Sequence, residues 1–354
     1  MKKAYNLIFI FLVIVNLSCE QFEFDYSQNE SNILFISRRI ENSAAWKLIT
    51  MNNDGSQQKS VTDLTVRCEK PSLSPSGQTV LFVHYSTDNF YELYSVGING
   101  SNLKLIDRAK RYCGSMNWSN NGSKIIYSIS RNDSTDEKDL ILFDINTKNK
   151  TKLTSNGNNS SATFSIDDKI AYCSRYDSYS CSDIYTMNID GSNKQLIQSC
   201  ACNPVWSPDG TKIAYQKSVD NGSSQIFVCM TDGSNMKQLT STYSSQVWPG
   251  WPPDGNFDPN WTPDGNNIVY VSWQQDNPDI FIMDQYGSNI RQLTNSDKRD
   301  ENPSITKNGR FILFSSNRNI DMNSEVFIMD IYGINQTPLT NFQGSDIYPI
   351  EVIE

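Results

Sequence analysis

The sequence predicts an all-β chain folded as a seven-bladed β-propeller of four-stranded blades. Three observations carry that prediction. A short apolar strand ending in an aromatic recurs as "NILF", "TVLF", "KIIY", "KIAY" (twice), "NIVY" and "FILF". Its aromatics, Phe35, Phe82, Tyr127, Tyr172, Tyr215, Tyr270 and Phe314, are spaced by 47, 45, 45, 43, 55 and 44 residues. The turn motifs "SPDG" or "TPDG" and "DGS" recur at fixed places around that strand. A period near 45 residues that holds four short strands is the pattern of a propeller blade.

Each strand of the unit has its own signal. An inner strand, A, reads "PSLSPSG", "MNWSNNG", "PVWSPDG", "PNWTPDG" or "PSITKNG". It ends in a turn where Pro pre-sets φ and Gly supplies a positive φ. Strand B is the aromatic-ended run. Strand C follows as "DIYTMNIDGS", "QIFVCMTDGS" or "DIFIMDQYGS", closing in the Asp-Gly favoured by tight hairpins. Strand D carries "KQLIQ", "KQLTS", "RQLTN" or "TPLTN". The first aromatic strand lacks a convincing inner strand before it. At the other end "SDIYPIEVIE" places Pro349 as Pro303 stands in "NPSI", so the C-terminus is expected to supply that strand and close the ring. Closure removes sheet edges that would invite aggregation. The stretch "VWPGWPPDGNFDPNWTPDGNN" writes nearly the same phrase twice. Only the phrase at Trp261 precedes an aromatic strand at blade spacing. The phrase at Trp251 belongs to an insertion between strand D of one blade and strand A of the next.

Alternating strand directions put the A–B and C–D turns on one face and the B–C and D–A connections on the other. The second face collects the irregular loops, and loops of that kind carry function more often than hairpin turns. A ligand is expected there, at the mouth of the central channel. The insertion tryptophans Trp248 and Trp251, with Trp273 nearby, form a candidate ligand surface, since flat aromatic faces suit sugars, apolar groups and peptides. Trp261 matches Trp118 and Trp206 of other blades and is read as interblade packing. Arg38, Arg131, Arg175 and Arg318 follow strand B, near Asp139, Asp183, Asp279 and Glu325 at the opening of strand C. They are read as ion pairs closing the B–C hairpins.

The first residues are not fold. Lys2 and Lys3 precede an apolar run from Leu7 to Leu17, too short to span a bilayer comfortably, and then comes "NLSCE". This resembles a bacterial lipoprotein signal whose cysteine, here Cys19, is lipidated. The resemblance departs from the usual pattern at Asn16, where such signals carry a branched apolar residue. The expected divisions are a signal peptide over 1–18, a lipidated N-terminus and linker over 19–31, and the propeller over 32–354. Cys19 acylation would anchor the chain to the lipid bilayer. The formal net charge of −9 argues against a nucleic-acid partner and against polybasic adhesion to lipid.

Seven further cysteines remain: Cys68, Cys113, Cys173, Cys181, Cys200, Cys202 and Cys229. Cys173 and Cys181 fall on opposite strands of one hairpin and are the candidate disulfide. Cys68, Cys113 and the Cys200/Cys202 pair precede inner strands, but their spacing is not that of a zinc finger, so no metal site is assigned. The single histidine, His84, and the absence of a Gly-x-Ser-x-Gly elbow leave no serine-hydrolase site. No cofactor and no catalytic residue are assigned. Abundant Asp and Glu keep a carboxylate glycosidase open.

The unit "PVWSPDGTKIAYQKS…QIFVCMTDGSNMKQLT" resembles the repeat of TolB-type propellers, relatives in pattern of WD repeats, from about Asn32 to the C-terminus. That resemblance implies an envelope interaction module. It also implies six blades, the alternative to the seven counted here. Seven-bladed oligogalacturonide lyases share the repeat but hold a metal with several histidines, which one histidine cannot supply. The expected function is therefore an exported, membrane-anchored module that binds an envelope protein or a glycan at the cell envelope. The alternative is a polysaccharide-processing enzyme, a carboxylate-based glycosidase or lyase, working at the channel mouth.

Overall fold

A computed structural model describes residues 32–39, 45–67, 69–133, 137–176, 181–219, 222–241, 255–274, 277–320, 323–342 and 344–352. These form seven antiparallel sheets of four strands each. Blade 1 is ordered Gly344–Val352, Asn32–Arg39, Lys47–Asn52, Lys59–Ser60, so the C-terminal strand does supply the inner strand of the first blade. The other six blades each take four consecutive strands. Their inner strands are Ser72–Leu73, Cys113–Trp118, Asn158–Phe164, Ala201–Trp206, Gly255–Trp261 and Asp300–Ile305. The count of seven stands against the six that the family resemblance implies.

In five blades the recurrent aromatic of strand B meets an aromatic directly opposite on strand C, and in blades 1 and 3 Phe35 and Tyr127 face Ile49 and Ile141 instead. Phe82 stacks on Tyr94 at 5.7 Å, Tyr172 on Tyr185 at 5.7 Å, Tyr215 on Phe227 at 5.8 Å and Tyr270 on Phe281 at 5.7 Å. Such cross-strand pairs contribute about 0.5–1.5 kcal/mol each beyond burial. The core is not central. It consists of seven apolar clusters, each between two neighbouring blades. Leu34, Ile36 and Leu48 of blade 1 pack on Val80, Phe82 and Val96 of blade 2. Phe311, Leu313 and Val326 of blade 7 pack on Ile33, Phe35 and Met51 of blade 1, which closes the ring by burial as well as by hydrogen bonds.

The strand-A tryptophans behave as the repeat implies. Trp118, Trp206 and Trp261 are buried, and each indole N–H donates to a carbonyl on the inner strand of the preceding blade: Ser72 at 3.1 Å, Thr163 at 3.3 Å and Val205 at 3.2 Å. The "LT" of strand D has a comparable structural task. Thr154, Thr240, Thr294 and Thr340 accept the backbone N–H of Leu140, Ile226, Ile280 and Val326 at 2.8–2.9 Å, tying strand C where ladder bonding ends.

Candidate functional site

Six of the seven inner strands carry a bulge. At it, Ser115, Ser161, Asn203, Asp258, Asn302 and Tyr348 take φ between +48° and +56°. A bulge re-aims the side chain it carries, and here the bulges ring the propeller axis. Lys70 holds the same place before the short inner strand of blade 2. Lys70, Ser115, Ser161, Asn203 and Tyr348 line one cavity of ≈ 720 Å³ whose walls come from six blades. Water reaches Lys70 and Asp258, both of which are exposed. Crowding by the ring is nonetheless the largest influence on each, pushing the Lys70 ammonium down and the Asp258 carboxyl up, while each charge partly holds the other. Part of the wall is fixed by hydrogen bonds: Ser161 donates to Asn203 Oδ1 at 3.2 Å, and Asn203 Nδ2 to Gln216 Oε1 at 2.6 Å.

Two groups of side chains flank the channel on the loop face. At blades 2 and 3, the Arg67 guanidinium lies 5.7 Å from the Tyr85 ring and 5.2 Å from Tyr91. Tyr91 neighbours Tyr112 at 6.3 Å, and Lys138 Nζ sits 3.9 Å over Tyr112. Glu69 beside them is raised by burial, and Tyr112 is pushed up to about 12 by burial and then by Glu69. At blades 6 and 7, Arg299 lies 5.0 Å over Trp273 and 4.0 Å from Glu301. Glu301 is raised by burial and by the Asp258 and Asp300 charges, against Arg299. Cation–π contacts of this kind contribute about 0.5–1 kcal/mol when exposed and more when a ligand excludes water.

Of the candidate ligand surface, Trp273 is half-buried at the end of strand B of blade 6, on the loop face. Trp248 and Trp251, like Cys19 and Cys68, lie outside the described residues. The pairing of Cys173 with Cys181 is corrected. Cys181 bonds Cys200, their Cα atoms 4.8 Å apart, which ties the B–C loop of blade 4 to its D–A connection. The register explains the difference. Cys173 stands opposite Ile184, three residues from Cys181, or roughly 10 Å along a strand. Its thiol is buried between blades 4 and 5, accepting the Asn203 N–H at 3.2 Å, and burial pushes it up to about 12. The ion-pair reading holds for one hairpin, where Arg131 meets Asp139 at 2.8 Å. Arg318 instead pairs with Asp300 on the inner strand at 2.6 Å. Asp279 and Glu325 are buried and accept the hydroxyls of Thr294 and Thr340. Among the described residues, no three His, Cys, Asp or Glu side chains converge as a metal site.

The channel residues themselves went unread in the sequence. In five blades their signal is an X-Pro step in or just before the inner strand, Lys70-Pro71, Asn203-Pro204, Asp258-Pro259, Asn302-Pro303 and Tyr348-Pro349, while Ser115 and Ser161 carry none.

The likeness to known proteins follows the ring. An uncharacterized protein of Agrobacterium fabrum is 30% identical over 112 residues, a match spanning 32% of this chain and 34% of that protein's length. TolB from Acinetobacter baumannii superimposes with a TM-score of 0.55 at 16% identity, covering 91% of this chain and 82% of its own. The β-propeller domain of the Trilobed protease from Pyrococcus furiosus gives 0.66 at 13% identity, covering 89% and 96%. An oligogalacturonate lyase from Vibrio parahaemolyticus gives 0.61 at 12% identity, covering 87% and 86%. At these identities the structures share the fold alone. The family model described as the TolB beta propeller domain matches residues 25–257, well over half of the 354, and the chain belongs to that family.

Proposed function

We propose that this chain is an exported binding module of a bacterial cell envelope, anchored through Cys19, and that its ligand docks on the loop face over the channel mouth. The ligand is another envelope protein or a glycan. The observation that carries this reading is the pairing of cations with accessible aromatics on two sides of the mouth: Arg67 with Tyr85 and Tyr91, and Arg299 with Trp273. Rigid rings present large area at low entropic cost, and such anchors typically contribute about 2 kcal/mol or more to binding. Membership of the TolB propeller family supports an envelope setting. The test is a photo-crosslinking amino acid placed at Tyr85, and in a control at the exposed Tyr286 on the turn face, in intact cells. A discrete protein or glycan adduct at Tyr85, absent at Tyr286 and lost with Arg67→Ala plus Arg299→Ala, is expected. The same adducts at both positions, or adducts indifferent to the arginines, would overturn the docking face.

A second reading makes the channel catalytic. Asp258 and Glu301 are both raised by burial, and the Asp258 charge is felt at Glu301, as two carboxylates facing one cleft would be. A pair of carboxylates in one cleft, with burial raising them, suits glycoside chemistry. Release of reducing ends from envelope polysaccharide, abolished in Asp258→Asn and in Glu301→Gln, would favour it. Release unchanged in both variants would remove it.

A further inference from the structure

Six of the seven C–D turns close against the outer strand of the preceding blade through a glycine at φ +77° to +86°. The approach is close. A methyl group on Gly100 would lie 2.9 Å from the Val61 carbonyl oxygen. The distances for Gly233 on Ile197, Gly287 on Leu239 and Gly333 on Leu293 are 2.7, 2.9 and 2.8 Å. Gly55 lies against Leu339 in the same way, and Gly191 touches Leu153 more loosely, at 3.4 Å. No larger residue reaches these carbonyls without moving the turn away. Blade 3 has no such glycine. Its turn, "DINTKN", closes from Asp144 N–H to the Asn149 carbonyl, one residue longer than the span from Gly97 N–H to Ser101 in blade 2. Lys148 holds the left-handed position at φ +63°. The equivalent outer-strand residue of blade 2, Ile106, therefore receives no glycine turn.

What stands there instead is a groove of ≈ 600 Å³ between blades 2 and 3 on the turn face, with Ile106 and Phe143 in its floor. This volume is within the ~300–1,000 Å³ range of small-ligand sites. Its walls are neutral hydrogen-bonding side chains, among them Ser76, Gln78, Ser95, Ser101, Asn102 and Asn121. Its charged members are Lys104 and Lys148, and no Asp or Glu lines it, in a chain of formal net charge −9. The Asp144 carboxylate of the same turn is already held by Lys124 at 2.6 Å.

We infer that this interblade groove is a second binding site, distinct from the channel mouth, and that it takes an acidic saccharide. Hydroxyl and amide walls match sugar hydroxyls, the apolar floor matches the C–H face of a ring, and the two lysines match a carboxylate, which Lys148 meets by exchanging its hydrogen bond to the Ile145 carbonyl. The lost glycine makes the space, and the lysine in its place supplies the charge.

The experiment is calorimetric titration of the purified full chain with a glucuronate-containing tetrasaccharide and with its carboxyl-reduced neutral counterpart. The acidic sugar is expected to bind and the neutral one to bind at least tenfold more weakly. Lys148→Gly, which suits the left-handed turn, should fold with an unchanged or higher melting temperature and lose binding. Lys104→Gln should weaken binding about five- to tenfold and leave the groove open. Loss of the acidic sugar's binding in Arg299→Ala with Lys148→Gly unaffected would place the sugar at the channel mouth and overturn this site, which keeps its failure distinguishable from that of the mouth reading. No binding of the acidic sugar, equal binding of the two sugars, or undiminished binding by Lys148→Gly would overturn the assignment.

Discussion

The hairpin turns of one face and the channel surround of the other use the same carboxylate for opposite ends. On the turn face, Asp54, Asp190, Asp209, Asp232, Asp264 and Asp284 are all held below the usual aspartate range by hydrogen bonds. The donors are the backbone N–H groups of their own turns with Ser and Thr hydroxyls and, at Asp264 and Asp284, the Asn266 and Asn289 side-chain amides. On the loop face Asp88 is also held down, by Ser86 and Arg108, and so is Asp139, despite burial, by Arg131 and Lys152, but Glu69, Asp258 and Glu301 around the channel and the buried Asp279 are pushed up, with burial the largest cause each time. A turn aspartate is an acceptor in water that completes a hairpin. A channel carboxylate is a charge crowded by protein with few donors to meet it. One face is therefore built for closure, and the other keeps unspent electrostatic free energy that a ligand can relieve.

The sharpest way to break this comparison is to attack closure where backbones touch. Gly233→Val places a branched side chain at φ +83° with its Cβ 2.7 Å from the Ile197 carbonyl. Left-handed strain of about 1–3 kcal/mol adds to the displaced interblade contact. A loss of about 3–4 kcal/mol in urea unfolding is expected; a loss below about 1 kcal/mol would show that the turns do not define the ring. On the loop face the comparable constraint is covalent. Cys181→Ser opens a loop of sequence separation 19 and should cost about 2–3 kcal/mol. The melting temperature of the native chain should then depend on reductant, and that of the variant should not. Equal sensitivity in both would place the stabilising bridge elsewhere.

A smaller effect separates the faces by pH. Burial raises Asp279 from 3.8 to about 6, with Asp300 adding to it, against the Thr294 and Gln292 hydrogen bonds. Between those values the folded state binds the proton that the unfolded state has released. Stability therefore falls as pH rises through this window and levels off above it. Asp279→Asn should remove that slope and gain about 1–2 kcal/mol at pH 7.5 relative to pH 4, allowing for screening. Parallel pH profiles of the two proteins would contradict the assignment.

Sequence reading succeeded where the ring repeats and failed where one blade departs from the others. Strands B and C, the Gly-bearing turns, the packing role of Trp261 and closure by residues 344–352 all follow from a spacing that recurs. The bulges at Ser115, Ser161 and Asn203 recur as well, but their residue types differ, and an X-Pro step marks Asn203 while nothing comparable marks Ser115 or Ser161. The partner of Cys181 did not follow from hairpin logic, because Cys200 arrives from the D–A connection rather than from the facing strand. The groove beside Lys148 was written in the sequence as "DINTKN", a missing glycine. Its meaning depends on what the other six glycines touch, which is a property of the ring and not of the motif.

The smallest predicted effect is the most exact test of the turn face. Asp209 Oδ1 accepts the Ser207 hydroxyl at 2.5 Å and the Thr211 N–H at 3.0 Å. Its lowered pKa means that this contribution is present above 3.8 and is lost as pH falls through the lower folded value. Two other blades already carry the neutral replacement. Ser119 donates to Asn121 Oδ1 at 3.0 Å, and Thr306 to Asn308 Oδ1 at 2.8 Å, in the same turn. If the turn needs an acceptor and not a charge, Asp209→Asn should change stability at pH 7 by no more than about 0.5 kcal/mol and lose its share of the acid dependence. Asp209→Ala, which removes the acceptor, should lose about 1 kcal/mol at pH 7 and also lose the acid dependence. A large loss for the Asn variant at neutral pH would mean that charge, not hydrogen bonding, holds these turns, and Ser76, Asn121 and Asn308 would then mark weak turns of the ring.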